Sequence, residues 1–261
     1  MDSKMRRHNQ ILSLLSRQSR LSVNELSDVL GTSAATVRKD LAALEERQLI
    51  RREQGYASLE TENPISRRMA FHYAAKSEIA SSAADLVRDG DTVFIESGST
   101  CILLAEELRR RKTTVNIVTN SVFMAAYLKE TGHLRLTLTG GDYQSDSMAL
   151  VGPLAVRSLS NFHVKYFFTG ADGYSPDIGF SGDNLLRVEL LHRMAAQADR
   201  TVLLFHHEKF SHKGTLPLFS EKEIDILITE APVRDAALLE RLRTAGVEIT
   251  VTGDAEPFTG L

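Results

Sequence analysis

The chain has 261 residues, of which 43% are hydrophobic and 25% charged, the composition of an ordinary globular protein with room for two domains. No apolar run reaches membrane-spanning length, and residues 1–10 lack the apolar core of a secretory signal. A single cysteine excludes an internal disulfide. We therefore expect a cytoplasmic protein without a membrane partner. The net charge of -3 is unevenly distributed: residues 1–59 have ten Lys+Arg and seven Asp+Glu, or +3, and the remainder has 21 Lys+Arg and 27 Asp+Glu, or -6. A basic end on an acidic body is typical of a nucleic-acid-binding module joined to another domain.

Two helices are predicted at the start of the chain. Residues 5–16 form the first, and Ser22 and Glu25 have the spacing of a capping box that opens a short second helix. Gly31 ends this second helix, because glycine readily adopts the left-handed backbone that follows a helix C-terminus. The residues expected on its buried face are Val23, Leu26, Val29 and Leu30.

The third helix, predicted over residues 32–46, has two different faces. Val37, Leu41 and Leu44 recur at spacings of four and three, so they form one apolar stripe. The opposite face begins with short polar side chains and continues with two cations. That order suits a helix that enters a DNA groove with its N-terminal end first.

A hairpin of residues 49–52 and 56–59 follows and completes a winged helix-turn-helix, although a small three-helix domain that binds protein is an alternative. The run from Ser33 to Leu41, Ser-Ala-Ala-Thr-Val-Arg-Lys-Asp-Leu, resembles the helix-turn-helix signature of the DeoR family of bacterial sugar-operon regulators. The resemblance implies a winged-helix DNA reader fused to a phosphosugar-sensing domain.

The resemblance also implies which residues of the third helix face DNA. They are Ser33, Thr36, Arg38 and Lys39. The guanidinium of Arg38 is able to read guanine with a bidentate fork. The cations expected to position the protein on phosphates are Arg6, Arg7, Lys39 and Arg51. Asp40 is a poor DNA contact, and we expect it to orient Arg7 or Arg38 through a salt bridge.

Residues 60–75 are predicted to connect an N-terminal domain of residues 1–59 to a second domain of residues 76–261. The connecting segment begins with polar residues, contains an Asn-Pro step and lacks a sustained apolar period, which is typical of a linker. Residues 66–76 are predicted to form a connecting helix.

Strand-like and helix-period segments alternate through the second domain. This alternation indicates an α/β fold with a mostly parallel sheet covered on both faces. The predicted strands are residues 92–96, 115–119, 134–139, 165–169, 202–205, 226–229 and 248–251. The predicted helices are residues 101–111, 122–130, 185–198 and 234–245.

Four of these strands end in small and polar residues. Residues 97–100, Ser-Gly-Ser-Thr, lead into a helix, so their backbone N–H groups and hydroxyls suit a bound anion. The other three runs are residues 119–121, 140–142 and 170–173. Because ligands of parallel sheets bind beyond the carboxyl ends of the strands, the four runs together predict a ligand site.

The second domain also resembles the DeoR family, in residues 90–100, 117–121, 139–141, 150–153, 168–173 and 179–181. The family's sensor is similar to ribose-5-phosphate isomerase, and the resemblance implies that the phosphate of an effector is held by Ser97, Gly98, Ser99 and Thr100. The residues expected at the sugar end are Glu96, Asn120, Gly141, Asp172 and Lys209. The chain departs from the family at residues 206–208, which are His-His-Glu where the family usually has Asp-Ser-Ser, and at Glu96, where it more often has Asp.

An enzyme is the alternative function. A sugar-phosphate isomerase with an added DNA-binding domain would use Glu96 or Asp172 as its base and Lys209 as the electrostatic partner. The glycine-rich, lysine-led loop that such isomerases carry has no counterpart after Asp172. We therefore predict that the protein is not an enzyme.

The histidines and the cysteine raise two further alternatives. His206, His207 and His212 suggest zinc, but adjacent histidines on a strand point to opposite faces, so we expect no metal site. Cys101 lies at a helix start, which lowers the pKa of a thiol, but we expect it to be a small residue packed behind the loop.

The prediction is a DNA-binding transcriptional regulator, in particular a repressor of a carbohydrate-utilisation operon. Its partners are double-stranded operator DNA and a phosphorylated sugar or polyol, with an unphosphorylated ligand as the alternative. One short helix contacts too few bases for genomic specificity, so a homo-oligomer, dimer or tetramer, is expected. No cofactor is expected.

Overall fold

The computed structural model of the protein describes residues 3–60, 63–128, 132–231, 233 and 236–253. The chain forms two compact units, Met1–Ala74 and Ala75–Leu261. Among the described residues, no helix combines the length and apolar character needed to cross a membrane.

The first unit has four helices and a small antiparallel sheet in its described part. They are α1 (Ser3–Arg17), β1 (Leu21–Ser22), α2 (Val23–Leu30), α3 (Ala34–Glu46), β2 (Ile50–Glu53), β3 (Tyr56–Leu59) and α4 (Pro64–Ala70). The strand order is β1-β3-β2. Ser22 and Glu25 form the predicted capping box, and Gly31 adopts the left-handed backbone (φ 59°) that ends α2. The winged helix-turn-helix is therefore confirmed.

The buried faces of the first unit agree with the apolar spacing, with one exception. Val37, Leu41 and Leu44 of α3 are all at most 1% exposed. The prediction that Val29 points inward is wrong, because this side chain is 66% exposed. Val29 lies six residues after Val23 and thus about 120° around the helix from it, outside the buried stripe.

The predicted connecting helix over residues 66–76 is also wrong. Asn63 caps α4, since its side chain accepts hydrogen bonds from the amides of Ile65 (2.9 Å) and Ser66 (3.1 Å). The helix ends before Phe71, and His72 has a positive φ of 53°. A new helix, α5 (Tyr73–Leu86), then begins.

The second unit continues with five helices and twelve strands in its described part. The helices are α6 (Ser99–Arg111), α7 (Val122–Tyr127), α8 (Gly152–Ser158), α9 (Leu185–Ala195) and α10 (Ala236–Thr244). The strands are β4 (Thr92–Ile95), β5 (Val115–Thr119), β6 (Leu134–Leu138), β7 (Asp142–Gln144), β8 (Ala149–Val151), β9 (Val164–Thr169), β10 (Gly173–Ser175), β11 (Gly179–Gly182), β12 (Ala198–Leu204), β13 (Leu216–Phe219), β14 (Ile226–Glu230) and β15 (Glu248–Thr252).

The seven predicted strands form one sheet in the order β15-β14-β12-β9-β4-β5-β6. Every neighbouring pair is parallel. In the sheet, β5 and β6 lie on one side of β4, and the strands that come later in the chain lie on the other side, so the direction in which successive strands are placed reverses between β4 and β9. Ligands of open parallel sheets bind at such a reversal, beyond the carboxyl ends of the strands.

Three predicted helix ends lie elsewhere or outside the described residues. One is the start of the helix predicted over 234–245, because residues 234–235 lie outside the described residues and the regular part is Ala236–Thr244. The helix predicted over 185–198 ends at Ala195, because Ala198 already pairs with Val164 as the first residue of β12. Pairing with a neighbouring strand thus overrides the helix propensity of the Ala-rich segment. The helix predicted over 122–130 ends its regular part at Tyr127, and residues 129–130 lie outside the described residues.

Candidate functional site

The N-terminal end of α3 has an exposed polar face. The hydroxyl of Ser33 caps the helix by accepting from the Thr36 amide (3.2 Å), and it also lies 3.0 Å from the Thr36 hydroxyl. Arg38 and Lys39 follow with exposed side chains. Among the described residues neither of these cations has an ion pair, and the same is true of Arg6 at the start of α1. This face therefore carries positive charge that the described part of the protein does not neutralise.

Asp40, on the buried side of α3, links this helix to α1. It is 2% exposed, and its carboxylate accepts from Arg7 Nε (2.7 Å) and lies 3.3 Å from His8 Nε2. Burial lowers the pKa of His8, although the attraction of Asp40 opposes the change. The expected salt bridge of Asp40 to Arg7 is confirmed, so Arg7 has a structural task beside its predicted phosphate contact.

The hairpin positions two further arginines. Arg51 Nε lies 3.5 Å from Glu60 Oε2, and the guanidinium of Arg52 pairs with Glu45 at 2.6 Å. The Arg20 guanidinium lies 4.1 Å from the centroid of the Tyr56 ring, at the turn end of β3. Arg51, a predicted phosphate contact, is exposed.

Residues 96–100, here called the Glu96 loop, connect β4 to α6. Glu96 is 1% exposed. One of its carboxylate oxygens accepts from the Ser97 hydroxyl (3.2 Å), and the other accepts from the Gly98 amide (3.1 Å). A Cβ at Gly98 would lie 2.9 Å from that second oxygen, so a larger residue here would displace the Glu96 carboxylate.

The Glu96 loop ends at the N-terminus of α6. Ile102 is the first residue of the helix whose amide has an intrahelical partner, the Gly98 carbonyl. The amides of Ser99 and Thr100 therefore point out of the helix end, where an anion is stabilised by the helix dipole. Cys101 packs behind the loop as predicted, since it is fully buried and burial raises the pKa of its thiol.

Arg187 was not predicted as a site residue, and it ties the Glu96 loop to the end of β9. Its Nε donates to Glu96 Oε1 (2.8 Å), Nη1 to Asp172 Oδ2 (2.9 Å) and Nη2 to the Gly170 carbonyl (3.3 Å). Burial by itself disfavours the charged guanidinium, but the two carboxylates outweigh it and raise the pKa of Arg187. A cation in the first turn of α9, where the helix dipole is unfavourable, is the sequence signal that could have identified it.

Lys209 approaches the same strand end from the loop after β12. Its Nζ donates to the Ala171 carbonyl at 2.6 Å. Asp172 Oδ2, beside Ala171, also accepts from the Asp183 amide (3.2 Å). The structure thus brings together Glu96, Asp172 and Lys209 of the predicted sugar-binding set, at the reversal in strand order between β4 and β9.

Asn120 and Gly141 lie at the carboxyl ends of the next strands, β5 and β6. Asn120 is fully buried, and its amide nitrogen donates to the Leu150 carbonyl (3.4 Å) while its side-chain oxygen has no partner in the described part of the chain. Gly141 has φ 116°, and a Cβ there would lie 2.4 Å from the Val151 carbonyl. Close backbone packing therefore explains this glycine.

The two adjacent histidines after β12 do not lie on opposite faces of a strand, so that part of the prediction is wrong. Phe205 follows β12, His206 caps a short 3₁₀ turn, His207–Ser211, and the two imidazoles stack with centroids 4.8 Å apart. Both contact the same Glu230 oxygen, His206 Nε2 at 3.0 Å and His207 Nδ1 at 2.6 Å.

The chain matches two family models. The DeoR-like helix-turn-helix domain matches residues 7–63, and the DeoR C terminal sensor domain matches residues 71–231. The chain belongs to the DeoR family. It is thus a DeoR-family transcriptional regulator, in which the winged helix-turn-helix and the parallel sheet are the family's two domains.

Named relatives cover nearly the whole chain. The putative aga operon transcriptional repressor of Escherichia coli is 32% identical over 254 residues, which are 95% of this chain and 94% of that protein. The transcriptional regulator GolR of Listeria innocua is 30% identical over 249 residues, 94% of this chain and 97% of that protein. The glycerol-3-phosphate regulon repressor of Shigella flexneri is 28% identical over 229 residues, 87% of this chain and 90% of that protein.

Among solved structures, ribose 5-phosphate isomerase A of Methanocaldococcus jannaschii matches with a TM-score of 0.39 and 20% identity. The match covers 53% of this chain and 54% of the isomerase.

Proposed function

We propose that this DeoR-family regulator is a repressor of a carbohydrate-utilisation operon whose DNA binding is controlled by a phosphorylated sugar or polyol. The observation that carries the proposal is the pair formed by the Glu96 loop and the Asp172 strand end, locked together by Arg187 at the reversal in strand order. Relatives named as repressors of the aga operon and of the glycerol-3-phosphate regulon support it. A regulator of DNA works in the compartment that holds the DNA, so we assign it to the cytoplasm.

The first unit supplies the DNA contacts in this proposal. The face that carries Arg38 and Lys39 is exposed and positively charged, and it begins at the N-terminal end of α3. Arg38 reads a base edge in the major groove, while Lys39, Arg6 and Arg51 contact phosphates. Ser33 and Thr36 keep the helix end formed through their capping bonds and present their hydroxyls beside the DNA. A symmetric homo-oligomer, dimer or tetramer, provides at least two such helices.

The second unit supplies the effector site. The phosphate binds at the N-terminal end of α6, where the helix dipole and the outward amides of Ser99 and Thr100 favour an anion. Ser97 and Gly98 shape the loop around it through their bonds to Glu96. The sugar or polyol hydroxyls then lie near Asp172 and Lys209, with Asn120 and Gly141 on the next strand ends.

The contacts of Glu96 argue against its use as the base of an isomerase. A general base needs an accessible lone pair close to the proton that it removes. Glu96 is 1% exposed, and both of its oxygens already accept hydrogen bonds. Asp172 accepts from Arg187 and from the Asp183 amide through Oδ2 alone, and its side chain is 32% exposed, so its other oxygen remains open to an effector hydroxyl. We therefore infer that Glu96 positions the loop, that Asp172 contacts an effector, and that the protein is not an enzyme.

DNA binding is tested first with a pool of random-sequence duplexes. The protein should enrich a site with two related half-sites, and affinity for that site should fall steeply with salt, because phosphate contacts release counterions. A protein that enriches no sequence, or whose binding does not depend on salt, would contradict the DNA-binding part of the proposal.

Effector control is tested by thermal shift against phosphorylated sugars and polyols, each beside its unphosphorylated parent. A ligand that binds only the native state raises the melting temperature. A rise with one phosphorylated compound and none with its parent supports the proposal, and that compound should then release the selected duplex. A rise of equal size with the parent compound would show that the phosphate is not recognised.

A further inference from the structure

We propose that His206, His207 and Glu230 form a binding site for one divalent transition-metal ion of the Zn²⁺ type. The three side chains lie at the carboxyl ends of the neighbouring strands β12 and β14. Each offers one ligand atom, and these atoms all lie within 4.8 Å of one another. Ligands about 2.0–2.2 Å from a tetrahedral ion lie about 3.3–3.6 Å apart, and the three ligand atoms here lie within 4.8 Å of one another, close enough to converge on one ion.

The chemistry of the donors matches such an ion. Imidazole nitrogens together with one carboxylate are typical ligands of Zn²⁺ and its neighbours, whereas Mg²⁺ and Ca²⁺ prefer oxygen ligands alone. His206 and Glu230 are each about 5% exposed, and His207 is 30% exposed. The group is therefore largely withdrawn from solvent but remains open on the His207 side, where a water or a ligand atom can complete the coordination.

Hydrogen bonding alone leaves the Glu230 carboxylate half satisfied. Its Oε1 faces His206 Nε2, His207 Nδ1 and the His207 amide. Its Oε2 is buried and has no hydrogen-bond partner among the described residues. Buried carboxylate oxygens are normally paired, and an ion that binds Oε2 while Oε1 keeps the bond from the His207 amide gives both oxygens a partner.

Binding requires a proton to change position on both imidazoles. His207 Nδ1 faces the Glu230 carboxylate and coordinates an ion only when the proton of that ring lies on Nε2. His206 Nδ1 now accepts a long hydrogen bond, 3.3 Å, from the Glu208 amide. Coordination through Nε2 places the proton of a neutral imidazole on Nδ1, so this bond is given up in exchange for a metal–nitrogen bond. The short turn that begins at His207 is the element that adjusts.

The ion also reaches the effector site through this turn. Lys209 lies two residues after His207, and its Nζ donates to the Ala171 carbonyl beside Asp172. An ion on His207 fixes the start of the turn that carries Lys209. This consequence rests on the proposed function, whereas the metal site itself does not.

The test is a titration of the full-length protein, free of any histidine tag, with Co²⁺ and then Zn²⁺. We expect visible Co²⁺ absorption bands that saturate at one ion per chain and disappear when Zn²⁺ is added. His207→Ala and Glu230→Gln should each weaken binding at least tenfold. His163→Ala is the matched control, because His163 forms an exposed pair with Asp199 elsewhere in the unit, and it should bind as the wild type does.

His207→Ala keeps the proposal testable even if the buried Glu230 variant fails to fold, since His207 is partly exposed. Circular dichroism and a thermal melt of this variant establish that it is folded. Absence of the Co²⁺ bands in the wild type, or unchanged binding by a folded His207→Ala protein, would overturn the metal site. The proposed function is judged separately, by the phosphosugar thermal shift measured without metal.

Discussion

Replacing Arg187 with methionine should destabilise the second unit strongly. The substitution keeps an unbranched side chain of similar length but removes the cation that pairs with Glu96 and Asp172. Glu96 is 1% exposed and Arg187 13% exposed, so the carboxylate would be left charged in a buried site. Removing one partner of a buried ion pair costs about 3–5 kcal/mol, and we expect the free energy of unfolding to fall by that amount.

Arg111→Met is the matched control. Arg111 also bonds two carboxylates, but its side chain is 25% exposed and its partner Asp85 is 74% exposed. Its other partner, Glu107, is 13% exposed and keeps an ion pair with Arg110 when Arg111 is replaced. Such pairs contribute about 0–1 kcal/mol. Adding Glu96→Gln to Arg187→Met should restore part of the loss, because the neutral amide is cheaper to bury.

The assay is urea unfolding followed by far-UV circular dichroism, since the chain has no tryptophan. The transition of the second unit is recognised by its steeper dependence on urea, which scales with the surface exposed on unfolding. Equal losses in Arg187→Met and Arg111→Met, or no recovery in the double variant, would refute the reasoning that a buried carboxylate depends on Arg187.

Three further predictions concern the DNA face, the loop and the N-terminal core. Arg38→Ala should weaken binding to the selected duplex by about 1–3 kcal/mol and relax its base preference, as measured by fluorescence anisotropy. Replacing the exposed Arg109 of α6 with alanine should leave binding unchanged, and an equal loss of affinity in the two variants would remove Arg38 from base readout. Ser99→Asp should abolish the thermal shift caused by a phosphorylated effector, because a carboxylate then repels the phosphate; an unchanged shift would mean that the phosphate binds elsewhere. The pKa of His8 is lowered in the folded state, so the unfolded state binds more protons once the pH falls below about 6.5. The first unit should therefore lose stability below that pH, by at most about 1.4 kcal/mol per pH unit. His8→Gln should lack this loss in melts between pH 7 and 5, and a wild-type-like loss in that variant would exclude His8 as its source.

The winged helix-turn-helix was predictable because its signals are local. A capping box, a left-handed glycine and an apolar stripe act within one or two helix turns, and all three are present as expected. The strands of the parallel sheet were predictable for a related reason, since strands buried on both faces are short, nearly continuous apolar runs. The same rule missed the antiparallel strands β7, β8, β10, β11 and β13, which have only three or four residues each.

Sequence by itself thus determined the family, the two domains' fold classes and the strand ends that carry polar residues, because each of these depends on neighbours along the chain. Only the tertiary structure decided which distant groups meet. Arg187 reaches Glu96 across 91 positions, and His207 reaches Glu230 across 23, because parallel pairing through long crossovers brings separate strand ends to one edge of the sheet. The order of the strands, and hence these contacts, is set by packing over the whole unit rather than by any local pattern.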